Sequence, residues 1–109
     1  MAQSVDLMQG TLNLLILKAL SVDSVHGWGL SARIAQLSRE FFTIGQGSLY
    51  PAVHRLEKRG WITSYWRTTE KNRIARYYEL TPDGRRALDG EIEAWRRYAR
   101  TVDLVIDSK

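Results

Sequence analysis

The 109-residue chain has no cysteine, which excludes a disulfide framework and a thiolate metal site. It has two histidines, and His26 has no His, Asp or Cys partner at ligand spacing, so a structural role outweighs a metal role. No stretch approaches the roughly 20 apolar residues of a membrane-spanning helix. The start, MAQSVDLMQG, lacks the basic region and long apolar run of a leader. Gly27-x-Gly29 is not a nucleotide fingerprint, because no strand is read before it and no third glycine follows in place. There is no acidic pair with an obvious groove, and Ser48 reads as a helix cap rather than a nucleophile. Catalysis, metal sites and cofactors are therefore set aside. The default that follows is a soluble cytoplasmic protein of one-domain size, and at 44% hydrophobic it can bury a core.

Positive charge is present, and it is unevenly placed. The formal net charge is +4. Between His54 and Arg76 lie seven basic residues (Arg55, Lys58, Arg59, Arg67, Lys71, Arg73, Arg76) against two acidic ones (Glu57, Glu70). From Pro82 onward six basic residues balance six acidic ones. The positive potential belongs to the middle of the chain, which suits a partner bearing phosphates.

Periodicity predicts mainly helices with one hairpin. Leu12, Leu15, Ile16, Ala19 and Leu20 mark a first helix over Gln9–Leu20, with Thr11 as a candidate cap. Leu14 and Leu17 make it apolar nearly all round, so it must be covered on several sides. Ser21–Gly29 reads as a loop, and Leu30, Ile34 and Leu37 as a second helix ending near Arg39. Phe41, Phe42 and Ile44 are expected to pack in the turn that follows.

The run GQGSLYPAVHRLEKRGWI then opens with a glycine turn. Ser48 is the expected N-cap, placing Pro51 third in the helix, where a missing N–H costs nothing. Leu49, Val53 and Leu56 form a buried face, with His54, Arg55, Lys58 and Arg59 mostly elsewhere. A short helix, apolar beneath and basic above and preceded by another short helix, suits a recognition helix. Gly60 stops it. Trp61–Trp66 reads as a strand, 68–73 as a polar tip, and Ala75–Leu80 as the returning strand. Alternation puts Arg76, Tyr78 and Leu80 on one face and Ala75, Tyr77 and Glu79 on the other. A basic hairpin after a basic helix is the pattern of a winged helix-turn-helix.

Thr81-Pro82-Asp83 is a helix start, with Thr as N-cap and Pro in first position. The helix is expected to reach about Ser108. Leu88, Ile92, Trp95, Ala99, Val102 and Ile106 recur at alternating spacings of four and three, a heptad seam. A long helix ending a small domain has little of its own chain to pack on. It reads as a dimerisation helix, the alternative being that the seam folds back on the first helix. The organisation is thus a mainly α (α+β) winged helix-turn-helix over residues 1–81, joined to a C-terminal dimerisation helix over 82–109 as one compact unit.

Specific residues sit on this frame. They are Gly10-Thr11-Leu12 with Leu14-Leu15-Ile16-Leu17, His26-Gly27-Trp28-Gly29, Gly47-Ser48-Leu49-Tyr50-Pro51-Ala52, His54-Arg55-Leu56-Glu57, Gly60-Trp61-Ile62, Tyr77-Tyr78-x-Leu80-Thr81 with Gly84-Arg85, and Trp95. With them the sequence resembles the PadR family of bacterial transcriptional regulators over nearly its whole length. It looks closest to the compact subgroup first described from acidobacteria. The resemblance implies a dimer with winged-helix domains, and in general repression at inverted-repeat operators. It also implies, for some members, an aromatic effector stacked on a tryptophan of the last helix, which Trp95 matches.

The DNA-binding candidates follow from side-chain chemistry. Gln46, Ser48, Tyr50 and Pro51 lie at the helix start. Gln46 and Arg55 suit base edges, and His54 suits either groove or core. Lys58, Arg59, Arg67, Lys71, Arg73 and Arg76 suit phosphates. The expected dimer contacts are Leu12, Leu88, Ile92, Trp95, Ala99, Val102 and Ile106. Met8, Leu12 and Trp95 would hold an aromatic effector or simply form the dimer core. The partners are double-stranded DNA, a second copy of the chain and such an effector, with no membrane. The rival function is a winged-helix protein-interaction module without operator specificity.

Overall fold

A helix that is apolar on every side must sit between others, and α1 (Gln9–Leu20) does. It is followed by β1 (Val25–His26), α2 (Gly27–Leu37), α3 (Gln46–Lys58), β2 (Ile62–Thr68), β3 (Ile74–Leu80) and α4 (Pro82–Ile106). The computed structural model describes residues 9–109. Ile16, Leu17 and Leu20 of α1 meet Leu30 and Ile34 of α2, Leu49, Val53 and Leu56 of α3, and Ile62, Tyr78 and Leu80 of the sheet in one buried cluster. Each such aliphatic side chain contributes about 1.5–3 kcal/mol by burial. Thr11 lies inside α1 and is not its cap.

The sheet is antiparallel in the order β1-β3-β2. Its strand β1 lies in what the sequence suggests is loop, because two residues pairing Val25 with Tyr78 and His26 with Tyr77 leave no local period to read. Helix α2 likewise starts at Gly27, three residues before the first apolar repeat. His26 caps it, its Nδ1 accepting the Gly29 N–H at 3.0 Å. A side chain at Gly27 would strike the Tyr50 ring. That glycine serves a close approach between α2 and α3.

Helix α2 ends at Leu37, short of the expected Arg39. Arg39 N–H donates to Gln36 C=O (3.1 Å) and Glu40 N–H to Ala35 C=O (2.7 Å). This closing turn places both Arg39 (φ 53°) and Glu40 (φ 65°) in the left-handed region. Phe42 and Ile44 pack on the core as expected. Phe41 does not: it is 61% exposed and touches the edge of the Phe42 ring.

Helix α3 begins two residues before the expected start. Gly45 is the N-cap, its carbonyl accepting from Ser48 and Leu49 N–H, and no side chain caps the helix. Ser48 is therefore within the first turn, and Pro51 is an interior residue. Pro51 lacks the N–H that would reach the Gly47 carbonyl. Gly47 is exposed, so water can reach that carbonyl. Leu49, Ala52, Val53 and Leu56 are fully buried. At the far end Gly60 N–H bonds Glu57 C=O and Trp61 N–H bonds Leu56 C=O, with Gly60 at φ +79°. This left-handed glycine turns the chain into β2.

Thr81 caps α4 as expected, accepting the Gly84 N–H at 3.0 Å. Thr81 also binds back to the turn after α3, its N–H donating to Trp61 C=O and its hydroxyl to Gly60 C=O. Gly84 packs so closely on the Trp61 carbonyl that no Cβ fits. The heptad seam then divides. Leu88 belongs to the chain's own core, Ile92 packs against it, and Trp95 is already 44% exposed. Leu12 and Leu88, expected at a subunit interface, are core residues here, because α1 and the first turns of α4 pack on each other. Among the described residues, the large apolar side chains Trp95, Tyr98, Val102, Leu104, Val105 and Ile106 have no such cover.

Candidate nucleic-acid interface

One surface of α3 is free. Gln46, Ser48, Pro51, His54, Lys58 and Arg59 are exposed, opposite the buried row. His54 thus faces outward, away from the core. The Gln46 amide donates to Ser31 Oγ at 3.0 Å and ties the start of α3 to α2. A base contact by Gln46 would exchange that bond for one to adenine. Tyr50 is half-buried, its ring lying on Gly27. Arg55 is half-buried as well, and its Nε is enclosed with no hydrogen-bond partner among the described residues. An orphaned guanidinium donor is costly, and a ligand acceptor would satisfy it.

The hairpin β2–β3 projects beside α3. Its tip closes through Thr69 N–H to Arg73 C=O and Asn72 N–H to Thr69 C=O, with Asn72 at φ 60°. Asparagine tolerates that conformation well. Lys71 and Arg73 are exposed at this tip. Arg67 lies over the Tyr77 ring at 5.2 Å, and Arg59 over Trp61 at 5.0 Å. These stacked cations keep their charge outside while their planes rest on rings.

Arg76, expected on phosphate, leans along the hairpin toward α3, its side chain still 45% exposed. Its Nε donates to Ser64 Oγ at 2.8 Å, and its Nη2 lies 3.6 Å from Glu57 Oε2. Among the described residues this is the one ion pair of the basic stretch. Sequence alone gives Glu57 no role here, though one acid on an otherwise basic helix is a signal. Ser64 carried no signal at all.

The outer sheet face carries a row of rings, and His26 takes the structural role expected of it there. His26 stacks on Trp28 (3.9 Å) and meets Tyr77 edge-on (5.3 Å), and Tyr77 stacks beside Tyr65 (5.9 Å). The Tyr65 hydroxyl donates to Ser24 Oγ at 2.9 Å, tying the wing to the loop before β1. Burial holds the His26 pKa below its usual value, against the opposing pull of its own backbone hydrogen bond and of Glu70. Burial likewise raises the Tyr78 pKa, with Glu57 and Tyr50 adding to it.

A concavity of about 260 Å³ lies between α1 and α4, lined by Gly10, Thr11, Leu14, Glu91, Ala94, Trp95 and Tyr98. The Trp95 ring forms part of its wall, with Tyr98 6.2 Å away, centroid to centroid. Leu12 is buried beneath in the core and does not line this groove, and Met8 lies outside the described residues.

The model of the transcriptional regulator PadR-like family matches residues 16–90. This chain belongs to the PadR-like family. A transcriptional regulator of Mycobacterium tuberculosis, Rv3488, is 35% identical over 97 residues, covering 89% of this chain and 87% of that protein. The PadR-like transcriptional regulator of Bacillus cereus has a similar structure (TM-score 0.78, 25% identity, 93% of this chain and 96% of that one). So does a transcriptional regulator of Clostridium thermocellum (TM-score 0.78, 29% identity, 87% and 92%). Membership in the PadR-like family makes the chain a transcriptional regulator of winged-helix fold and not an enzyme, and it implies DNA binding. The match takes in α3 and the wing, and the exposed end of α4 lies beyond it.

Proposed function

We propose that the chain is a cytoplasmic repressor that binds an inverted-repeat operator as a homodimer. The observation that carries this reading is the free basic face of α3 beside the cationic wing. Two copies would set α3 in successive major grooves, about 34–36 Å apart. Gln46 and Arg55 would read base edges. Ser48, Tyr50, Pro51 and His54 would line the approach, and Lys58, Arg59, Arg67, Lys71 and Arg73 would hold phosphates. The exposed residues Trp95, Val102 and Ile106, with the half-buried Ala99 between them, would pair across the two-fold. An aromatic effector stacking on Trp95 would change operator affinity only by preferring one spacing of the two α3 helices.

The test is binding of the purified protein to the DNA upstream of its own gene, titrated against salt with random DNA as competitor. Operator binding that resists competitor and weakens steeply with salt is expected. Weak, equal binding to both DNAs would overturn it. The exposed apolar end of α4 would then favour the protein-interaction reading, in which the seam pairs with a different chain.

A further inference from the structure

An acid on a DNA-facing helix repels the backbone it approaches, unless it is turned away from it. Glu57, in the last turn of α3, is turned away. Its side chain is 20% exposed and meets both strands of the wing. From β2, the Ser64 hydroxyl donates to Glu57 Oε2 at 2.8 Å. From β3, Arg76 lies 3.6 Å from the same oxygen and donates through Nε to Ser64 Oγ at 2.8 Å. The Arg76 guanidinium also lies over the Trp66 ring at 5.7 Å. Trp66 pairs with Arg76 and Ser64 with Tyr78, so this cluster sits on the helix-facing side of the hairpin. Beyond it the wing leaves the body, with Trp66 67% and Ile74 75% exposed.

We propose that Glu57 is a positioning residue: with Ser64 and Arg76 it fixes the wing relative to the recognition helix and keeps Arg76 off the DNA. The proposal rests on the DNA-binding reading above. It divides the basic residues of the hairpin into three that meet phosphate (Arg67, Lys71, Arg73) and one that braces. A fixed wing makes operator contacts simultaneous. A loose wing with a released Arg76 follows any phosphate backbone, so discrimination falls while general affinity rises.

The experiment measures binding to the upstream DNA and to a random duplex across salt, for the wild type, Glu57→Gln, Arg76→Gln, the double variant and Ser64→Ala. Arg76→Gln alone is expected to leave the salt slope unchanged. Glu57→Gln steepens the slope by about 0.9, one further phosphate contact, and adding Arg76→Gln restores it. Operator-over-random preference falls about tenfold in Glu57→Gln and partly in Ser64→Ala, which keeps every charge. A slope flattened by Arg76→Gln alone, or an unchanged slope and preference in Glu57→Gln, overturns the proposal. Hydrogen exchange without DNA separates it from the regulator reading. Faster exchange of the amides from 66 to 75 in Glu57→Gln, with α3 unchanged, supports the brace even if no DNA is bound. Equal loss of protection in α3 assigns Glu57 to helix stability alone and also overturns it.

Discussion

His26 acts through one nitrogen. Its Nδ1 caps α2 only while unprotonated, since a protonated imidazole has no acceptor. Burial lowers its folded pKa below that of the unfolded chain, about 6.5. The folded state therefore binds fewer protons than the unfolded state in that interval, and stability rises with pH across it. The His26 contribution is complete above about pH 6.5 and is lost as pH falls through the folded value. His26→Asn keeps a capping acceptor that does not titrate. Urea unfolding at pH 7.5 and pH 5 should show a smaller pH effect in that variant than in the wild type. His26→Ala should cost about 1 kcal/mol at the higher pH. Arg39 makes the opposite case: its φ of 53° suits glycine, so Arg39→Gly should stabilise the chain by about 0.5–1 kcal/mol in the same measurement. On the DNA side, Arg55→Ala should weaken upstream DNA more than random DNA, by about 1–3 kcal/mol. Equal losses on both duplexes would move Arg55 to the phosphates.

Elements were legible in the sequence where their signals were local. Thr81-Pro82-Asp83 fixed the start of α4 because cap, ring and charge are read within one turn. The row Leu49, Val53, Leu56 gave the buried face of α3, and the charge count located its basic side. The start of α3 slid because Gly45 and Ser48 both suit a cap, and only the backbone geometry chooses Gly45. The strand β1 and the cap at His26 could not be read, since β1 exists only by pairing with β3, about fifty residues on, and histidine is not a usual cap. Likewise Arg76 looked like any wing cation until Glu57 and Ser64 were brought to it. Gly84 shows how such joints are tested. No Cβ fits between α4 and the Trp61 carbonyl, so Gly84→Ala must shift α4 off the turn after α3. A loss of about 1–3 kcal/mol in thermal or urea unfolding is expected, whereas Gly90→Ala, in open space on the same helix, should be neutral or slightly stabilising.

At the scale of the whole molecule, the long helix divides at Ile92. Before it, α4 completes the domain core. After it, Trp95, Tyr98, Val102, Leu104, Val105 and Ile106 are between 39% and 72% exposed. The 25-residue helix is about 38 Å long at 1.5 Å per residue. Burying each large apolar side chain in that half would contribute about 1.5–3 kcal/mol, so a few of them suffice to hold two copies together. In the proposed homodimer, a linked pair would bind its second half-site at an effective concentration set by the helix, which would multiply affinity by about 10²–10⁴ without any new DNA contact. Val102→Glu places a charge in the seam well away from α3 and the wing. It should shift sedimentation from dimer to monomer and leave the thermal unfolding of the domain core almost unchanged. Affinity for an inverted repeat should fall by about 10²-fold or more, while affinity for a single half-site stays as in the wild type. A Val102→Glu protein that remains dimeric, or a monomer that keeps full affinity for the inverted repeat, would detach α4 from operator binding and leave its exposed face to another partner.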